Sequence, residues 1–323
     1  MSTIKAVVAD PNIPGRLAIR EVEAPTPAPT EAVVRVAAIS LNRGETRRAL
    51  QTDAVWRPGW DLAGIVEHPA ADGSGPHAGA RVVGLLRTGA WAERVAVPTN
   101  ALAELPEAVS FAQAATLPVA GLTALYALQK GGFLLNRAVL ITGATGGVGD
   151  FALQLARLSG ARVVAHVRRA EQVAEVRQAG ADEAIMGDDL SVAPNAGPYN
   201  LIIDSVGGTT LAAALTQLAK GGVCVSLGVS AGAEVTFDVT RFFPIGRTTL
   251  YGFILFEEFG NEPAAVGLAR LATLVAAGKL QPRISVEAPW TQIADVARQL
   301  LNRRFPGKAV LHVSAATRSH TGR

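Results

Sequence analysis

The chain contains very little cysteine. Cys224 is the single cysteine among 323 residues, which excludes an intramolecular disulfide and any metal site built on several thiolates. It lies in the apolar run 223–225, where a free cysteine usually packs as a small hydrophobic residue. The histidines also lack the spacing of metal ligands, so the sequence predicts no bound metal. They are His68, His77, His166, His312 and His320.

Long apolar runs and a concentration of one charge are also missing. No run approaches the ~18 apolar residues that cross a bilayer, and the first ten residues lack the basic-then-apolar pattern of a signal peptide. The formal net charge is +3, and the basic residues are spread along the chain, unlike those of a nucleic-acid binder. The sequence therefore predicts a cytoplasmic protein with no membrane span and no nucleic-acid partner.

Short apolar runs fill the first third of the chain, and clusters of proline and glycine separate them. This spacing is typical of a β-barrel or β-sandwich. The runs are Ile4–Ala9, Ala32–Ser40, Ala63–Glu67, Arg81–Leu86 and Trp91–Val97. Helical periodicity follows, and it predicts one helix over Ser110–Gln129 with Ser110 as its N-cap.

From Arg137 onward, apolar runs alternate with amphipathic stretches, which predicts a parallel sheet with right-handed crossovers. The predicted strands are Ala138–Thr142, Arg162–Val167, Leu201–Asp204, Gly222–Leu227 and, near the end, Lys308–Val313. The predicted helices are Asp150–Ser159, Ala170–Ala179, Thr210–Ala219, Pro263–Ala277 and Thr291–Arg303. We therefore expect an α/β protein with a β-rich part and a doubly wound parallel sheet.

A glycine-rich loop, GATGGVG at residues 143–149, follows a predicted strand and precedes a predicted helix. A dinucleotide fingerprint requires this context, because the helix N-terminus then offers unpaired N–H groups to a pyrophosphate. Gly146 lets the backbone approach the phosphates, and Gly149 lets the helix pack closely on the strand. We expect Thr145, Gly146, Gly147 and Val148 to contact the cofactor, and a flexible turn is the alternative interpretation.

The end of the next strand indicates which nicotinamide cofactor is preferred. NAD sites usually carry Asp or Glu about 20 residues beyond the loop, where it binds the ribose hydroxyls. Here the strand ends in Arg168 and Arg169, without a carboxylate. A guanidinium binds a 2′-phosphate through charge-assisted hydrogen bonds. The pattern predicts NADPH, although an exposed arginine pair at a strand end explains it too.

With these motifs, the chain resembles the medium-chain dehydrogenase/reductase superfamily, and within it the zinc-independent quinone oxidoreductase branch. The resemblance extends over nearly the whole chain. It rests on residues 39–42 (ISLN), 58–67 (PGWDLAGIVE), 79–84 (GARVVG), 89–93 (GAWAE), 114–128 with GLTA at 121–124, 144–149 (ATGGVG), 204–208 (DSVGG) and 307–308 (GK).

This resemblance implies a GroES-like catalytic domain in residues 1–120, a Rossmann NADPH-binding domain in 121–250 and a return to the catalytic domain in 251–323. NADPH would lie in the cleft between the domains. Two copies would join edge to edge through the Rossmann sheet as a homodimer, with contact at the strand-like segments around Val223–Leu227 and Leu250–Leu255. The further cofactor residues that it implies are Asn42 and Thr123 near the nicotinamide, Ser205, Val206, Leu227 and Gly228 along the ribose and ring, Phe253 and Leu255 near the carboxamide, and Asn302 or Arg303 at the C-terminal side. A helix-stiffening role for Thr123 and a helix-capping role for Asn302 are the structural alternatives.

The chain departs from the zinc-using members of this superfamily at the positions of their ligands. Ser40 and Trp60 replace two expected Cys or His residues, no Cys or His lies near Pro118, and the four-cysteine structural lobe is absent. It also departs from the quinone reductase branch, with Glu45 in place of Asp and Ala49 in place of Arg.

Without a Lewis acid, a conjugated acceptor fits better than an isolated ketone, because the incoming charge is delocalised onto a distant oxygen. We therefore predict hydride transfer from NADPH to a quinone or to the β-carbon of an α,β-unsaturated carbonyl. No Tyr-x-x-x-Lys pair, catalytic triad or paired carboxylate identifies a proton donor, so the catalytic residues are left unassigned. Arg47, Trp56, Trp60 and Phe253 are candidates for the substrate pocket, although core packing explains the aromatic residues as well.

Two other functions fit the same sequence. The first is an enoyl-thioester reductase acting on acyl-CoA or carrier-bound enoyl chains, which a basic entrance patch including Arg47, Arg48 or Arg57 would favour. The second is a non-enzymatic NADPH-binding sensor that keeps the fold without turnover, because a fold does not determine a function.

Overall fold

The computed structural model describes residues 2–193 and 195–313, and the chain divides into two compact units. The first unit combines Met1–Val119 with Asn261–Arg323, and the second is the continuous segment Ala120–Gly260. The predicted boundary after residue 250 falls inside a strand of the second unit, so residues 251–260 lie with that unit. Residues 314–323, which include His320 and the end of the predicted return segment, lie outside the described residues.

The strands of the described residues are β1 (Thr3–Ala9), β2 (Leu17–Glu23), β3 (Glu31–Ser40), β4 (Asp61–His68), β5 (Arg81–Leu85), β6 (Arg94–Pro98), β7 (Leu102–Glu104), β8 (Ala138–Ile141), β9 (Arg162–Val167), β10 (Glu183–Met186), β11 (Tyr199–Asp204), β12 (Leu218–Ser226), β13 (Thr249–Gly252), β14 (Ile284–Pro289) and β15 (Lys308–His312). The α-helices are α1 (Arg43–Gln51), α2 (Phe111–Ala115), α3 (Leu122–Gln129), α4 (Gly147–Leu158), α5 (Glu171–Gln178), α6 (Gly208–Leu215), α7 (Leu255–Glu258), α8 (Ala264–Ala276) and α9 (Ile293–Leu301). None of these helices is long and apolar enough to cross a membrane.

The first unit is built on a mostly antiparallel sheet. Its strand order is β14-β15-β3-β4-β5-β7, with β6 paired to β3, and β1 and β2 form a separate hairpin. Strand β15 lies between β14, to which it is parallel, and β3, to which it is antiparallel. Ile39, Leu62 and Trp91 are fully buried in the core of this unit. The C-terminal strands are therefore integral to a sheet that the N-terminal strands begin.

The second unit is a six-stranded parallel sheet with the order β10-β9-β8-β11-β12-β13. Strands such as β8 (AVLI) and β9 (RVVAHV) are apolar on both faces, as a sheet covered by helices on both sides requires. The chain runs outward from β8 through β9 to β10 and then returns to β11, so the order reverses between β8 and β11. Ligands of such sheets bind at the carboxyl ends of the strands beside this reversal. The predicted α/β class, with a β-rich part and a doubly wound parallel sheet, is confirmed.

The single helix predicted over Ser110–Gln129 is wrong. Ser110 does cap α2, where its side chain accepts from the N–H of Gln113 at 3.1 Å, but a π-helical turn over Leu117–Gly121 separates α2 from α3. Pro118 lies in that turn, and proline has no N–H for the i→i−4 ladder. The periodicity continues through the interruption, which is why the sequence pattern does not reveal it.

Other differences concern short or polar elements. The helix predicted over Thr210–Ala219 ends at Leu215, because Leu218 already pairs with Tyr199 as the first residue of β12. Helix α1 (RGETRRALQ) has too few apolar residues to show periodicity, and the half-exposed strand β2 was also not predicted. Strand β13 overlaps the strand-like segment expected around Leu250–Leu255 and forms the edge of the parallel sheet. The predicted dimer contact would lie at this edge, and the oligomeric state itself stays a prediction.

Candidate functional site

The glycine loop joins the carboxyl end of β8 to the start of α4. A Cβ on Gly149 would lie 2.4 Å from the carbonyl oxygen of Gly143, and a Cβ on Gly143 would lie 2.2 Å from Oγ of Ser205. Gly143 also has a positive φ of 61°, which side-chain-bearing residues rarely adopt. The loop is therefore packed against the ends of β8 and β11 at distances that only glycine permits.

The N-terminus of α4 has no capping side chain. Its N-cap is Gly146, which has an extended backbone and makes no side-chain hydrogen bond to the first turn. The N–H groups of that turn are therefore available to an anion, and the helix dipole places partial positive charge beside them. This arrangement fits the pyrophosphate of a dinucleotide.

Arg168 and Arg169 lie at the carboxyl end of β9, and both are exposed. Gln172 holds this turn, because its Oε1 accepts from the N–H groups of both arginines at 3.1 Å and its Nε2 donates to Oγ1 of Thr145 at 3.4 Å. Arg169 is paired with Glu171 at 3.2 Å, whereas Arg168 makes no ion pair in the part of the chain that the structure describes. Arg168 is therefore the better candidate to bind a 2′-phosphate.

Asp204 is a buried carboxylate that organises the end of β11. It accepts from Oγ1 of Thr142 at 2.6 Å and from the N–H of Gly207 at 2.9 Å. Burial raises the pKa of Asp204, and these hydrogen bonds oppose that increase. Ser205 donates its N–H to Oγ1 of Thr142 and its hydroxyl to the carbonyl oxygen of Thr142, both at 3.2 Å. Ser205 and the following Val206 are thus held beside the glycine loop.

Leu227 and Gly228 follow the carboxyl end of β12. The N–H of Leu227 donates to the carbonyl oxygen of Asp204 at 2.9 Å, and a Cβ on Gly228 would lie 2.9 Å from the carbonyl oxygen of Ser205. The carboxyl ends of β11 and β12 therefore approach each other closely, with backbone atoms of the two strands in contact.

Phe253 and Leu255 follow the edge strand β13, and both are buried. The N–H of Phe253 donates to the carbonyl oxygen of Ser226 at 3.0 Å. Thr123 is the second residue of α3, which packs on α4, and only 6% of Thr123 is exposed. The burial of Phe253 fits core packing better than an open substrate pocket. Except for Thr123, the cofactor residues predicted in this unit follow the carboxyl ends of the parallel strands.

Asn42 is held by charged and polar groups within the first unit. Its N–H and its Nδ2 donate to Oε1 of Glu45 at 3.0 and 2.9 Å, and Nδ2 also donates to Oδ2 of Asp61 at 2.8 Å. Its Oδ1 accepts from Nζ of Lys308 at 2.5 Å. Donors and acceptors on both sides fix the orientation of this amide.

Asp61 and Lys308 form a buried ion pair behind Asn42. Nζ of Lys308 lies 3.4 Å from Oδ2 of Asp61. The side chain of Lys308 is 4% exposed and that of Asp61 is 0% exposed. Asp61 also accepts from Oγ of Ser40 and from the N–H of Val119, both at 3.0 Å, and Lys308 donates to the carbonyl oxygen of Leu41 at 3.0 Å. A buried pair is tolerated when such additional hydrogen bonds satisfy both partners.

Burial shifts the titration of this cluster. It raises the pKa of Glu45 well above the ordinary value, and the charge of Asp61 raises it further. Burial lowers the pKa of Lys308, and the charges of Asp61 and Glu45 oppose that shift. Three oxygen acceptors around Nζ favour the ammonium form. The ion pair of Lys308 with Asp61 therefore lies at the centre of the cluster.

Trp56 and Trp60 have structural contacts in the first unit. Nε1 of Trp60 donates to the carbonyl oxygen of Arg87 at 3.0 Å. The ring of Trp56 packs on the core, and the guanidinium of Arg48 stacks over it at 4.6 Å. These contacts explain both rings without a substrate, and their role in a pocket stays a prediction.

The three arginines of the predicted entrance patch differ in their contacts. Arg48 is engaged by Trp56, and burial lowers the pKa of the half-buried Arg57. Arg47, on α1, makes no hydrogen bond or ion pair with any described residue. A contact of Arg47 with a substrate stays a prediction.

Asn302 and Arg303 follow α9. Asn302 is the C-cap of this helix, and its N–H donates to the carbonyl oxygen of Arg298 at 3.0 Å. Arg303 has a positive φ of 56°. The capping alternative for Asn302 agrees with this backbone, and a contact of either residue with a cofactor stays a prediction.

Sequence reasoning missed Gln172 and did not give Asp61 and Lys308 a role in the site. Asp61 and Lys308 each stand directly before a run of apolar residues at the start of a strand, which is a signal that the sequence does contain. Their partnership is not readable from it, because 247 residues separate them. Among the described residues, no group of three or more His, Cys, Asp or Glu side chains is placed to hold a metal ion.

Two family models match the chain. Residues 28–107 match the alcohol dehydrogenase GroES-like domain, and residues 147–270 match the zinc-binding dehydrogenase family. A chloroplast envelope quinone oxidoreductase homolog from Arabidopsis thaliana is 28% identical over 312 residues, which are 90% of this chain and 92% of that protein. A 2-methylene-furan-3-one reductase from Solanum lycopersicum is 28% identical over 300 residues, which are 87% of this chain and 71% of that protein.

The same relationship appears among solved structures. The Escherichia coli quinone oxidoreductase complexed with NADPH matches with a TM-score of 0.84 and 26% identity, covering 96% of this chain and 99% of that one. The chain belongs to the medium-chain dehydrogenase/reductase superfamily, in its quinone oxidoreductase-like branch. The resemblance predicted from the sequence motifs is confirmed, and so is the combination of a GroES-like part with a Rossmann sheet.

Proposed function

We propose that this protein is an NADPH-dependent oxidoreductase that transfers hydride to a quinone or to the β-carbon of an α,β-unsaturated carbonyl. One observation carries the proposal: the uncapped N-terminus of α4 and the unpaired Arg168 lie at the carboxyl ends of adjacent parallel strands. The NADPH complex of the E. coli quinone oxidoreductase supports the cofactor. The relatives named as a quinone oxidoreductase homolog and a furan-3-one reductase support the acceptor class.

The second unit supplies the proposed cofactor site. The N–H groups of Gly147 and Val148 bind the pyrophosphate, and Arg168 binds the 2′-phosphate. Ser205, which is fixed by Thr142, and the backbone at Gly228 line the edge where the ribose and nicotinamide lie. The nicotinamide, when bound, supplies the hydride, and the protein binds, orients and shields it. Contacts from Asn42, Asn302 and Arg303 of the first unit stay predictions.

A conjugated acceptor fits the residues of this chain. The ammonium of Lys308 is buried and already donates hydrogen bonds, so it is not available to polarise an isolated carbonyl. In a quinone or an enone, the negative charge that arrives with the hydride moves to a distant oxygen, which solvent can protonate. The acceptor therefore needs less polarisation by the protein than an isolated ketone does.

Arg168→Ala tests the cofactor assignment. Removing a charge-assisted hydrogen bond costs about 1.5–3 kcal/mol, so NADPH should bind about tenfold more weakly or worse, while NADH binding changes little. Calorimetric titration of both cofactors measures this difference. Arg177→Ala, an exposed arginine at the end of α5, is the matched control and should leave both affinities unchanged. An equal loss for NADPH and NADH would contradict the assignment.

A substrate screen separates the three candidate functions. Turnover of simple quinones or enones with NADPH supports the proposal, and preferential turnover of crotonyl-CoA would indicate an enoyl-thioester reductase. In that case Arg47→Gln should raise KM for the thioester, because Arg47 is the patch arginine without a partner among the described residues. Cofactor binding without consumption across the panel would indicate a sensor.

A further inference from the structure

A basic cavity lies at the amino ends of the parallel strands, whereas the glycine loop lies at their carboxyl ends. Its volume is about 580 Å³, and its lining includes Lys130, Arg137, Lys220 and Arg247. Arg137 directly precedes β8, Lys220 lies near the start of β12, and Arg247 precedes β13. Strand β8 has four residues, so its amino end is about 13 Å from the glycine loop at its carboxyl end. The cavity is therefore separate from the proposed cofactor site.

The charges around this basic cavity are not balanced. No carboxylate is among the described residues that line it. Lys130 is paired with Glu258 at 2.6 Å and lies 4.6 Å from the ring centroid of Tyr251. Arg137, Lys220 and Arg247 make no side-chain hydrogen bond or ion pair with any described residue. Like charges around one cavity repel each other, and a multiply charged anion would remove that repulsion.

The available donors are side chains rather than backbone groups. The N–H groups of Gly131, Gly132 and Gly221 already donate to carbonyl oxygens at 3.0–3.1 Å. Asn200 accepts the N–H of Ala138 through Oδ1 at 3.0 Å, which leaves its Nδ2 as a further donor. The available donors are thus two guanidinium groups, one ammonium group and an amide. Such a set suits a phosphate ester, since guanidinium matches phosphate geometry in a bidentate manner.

The size of the basic cavity and one exposed ring indicate more than inorganic phosphate. A cavity of about 580 Å³ lies within the usual range of small-molecule sites, which is about 300–1,000 Å³. Phe133 belongs to the lining, and 79% of it is exposed, which is unusual for a phenylalanine. Its ring is available to stack on a planar group. We propose that this cavity binds a phosphorylated small molecule of nucleotide size, with its phosphates on Arg137, Lys220 and Arg247 and its ring on Phe133.

Calorimetric titration of the NADPH-saturated full chain with ADP and with inorganic tripolyphosphate tests this site. Saturation with NADPH prevents either probe from binding at the glycine loop. Both probes should bind, and Arg137→Gln combined with Lys220→Gln should weaken each about tenfold or more, since two charge-assisted contacts are lost. Arg177→Gln is the matched control, because it removes an exposed charge from the same unit and should change neither affinity.

Phe133→Ala separates the contribution of the ring from that of the phosphates. It should weaken ADP and leave tripolyphosphate unchanged, and an unchanged ADP affinity would overturn the ring contact. The absence of heat with both probes, or an equal loss in the Arg177→Gln control, would overturn the site. The NADPH titration of Arg168→Ala is independent of these outcomes, so failure of this site and failure of the proposed function are distinguishable.

Discussion

Lys308 carries an ammonium group that lies inside the first unit. Lys308→Met would remove the cation and leave the carboxylate of Asp61 buried beside an apolar side chain. Breaking one partner of a buried pair costs about 3–5 kcal/mol. We expect that loss in the free energy of unfolding measured with urea. Lys279→Met, at an exposed lysine of the same unit, should change the stability little.

A double replacement tells whether charge or packing is responsible. If Lys308→Met combined with Asp61→Leu recovers most of the stability, the cost of the single variant is that of an unpaired charge. If the single variant is as stable as the original chain, the ion pair does not support the fold.

His166 is a buried histidine in β9 whose pKa is lowered. Burial is the main cause, and its ring nitrogen Nε2 lies 3.0 Å from the carbonyl oxygen of Gly187. In the unfolded chain His166 takes up a proton at about pH 6.5, whereas in the folded chain it does so only at a lower pH. This contribution to stability is therefore present above that pH and is lost as the pH falls below it.

His166→Gln should flatten that dependence, because glutamine keeps an N–H donor and does not titrate. Urea unfolding between about pH 5 and pH 7 measures the difference between the variant and the original chain. His77→Gln, at an exposed histidine, should leave the dependence unchanged. A parallel fall of stability in the original chain and in His166→Gln would show that other groups cause it.

At the scale of the element, α4 packs closely on the loop after β8 because Gly149 has no side chain. Gly149→Ala would place a Cβ 2.4 Å from the carbonyl oxygen of Gly143 and 2.7 Å from Cα of Ala144. Both neighbours are backbone, so the helix start must move. We expect weaker NADPH binding and a lower free energy of unfolding, measured by titration and by urea. Gly252→Ala is the control and should be tolerated, because the added Cβ would have no atom within 4 Å apart from the neighbouring residues of the chain.

The strands and helices of the parallel sheet could be predicted because their apolar runs are strong. Strands β8, β9 and β11 are buried on both faces, and each contains a run of at least three apolar residues. Helix α1 could not be predicted, since its polar sequence is stabilised by packing and by Asn42 rather than by periodicity. The break at Pro118 was overlooked because apolar residues continue on both sides of it.

At the scale of the whole molecule, the sequence predicts the two kinds of sheet but not all of their limits. Strand β13 has four residues and is exposed along much of its length, so its pattern does not show where the second unit ends. Its pairing with β12 does so, and residues up to Gly260 therefore belong to the second unit. The buried cluster at Asn42 was hidden for a similar reason, because its members come from distant segments of the chain.

The place of β15 between β14 and β3 also determines the order in which the molecule can be completed during translation. Leu41 and Lys308 are 267 residues apart, so the ribosome finishes the entire inserted unit before the lysine emerges. Until then the nascent first unit has an open sheet edge at β3 and a carboxylate at Asp61 without its cation. The second unit can therefore complete its fold while the chain is still being synthesised. The N-terminal segment can complete its sheet only after the C-terminal segment has been synthesised.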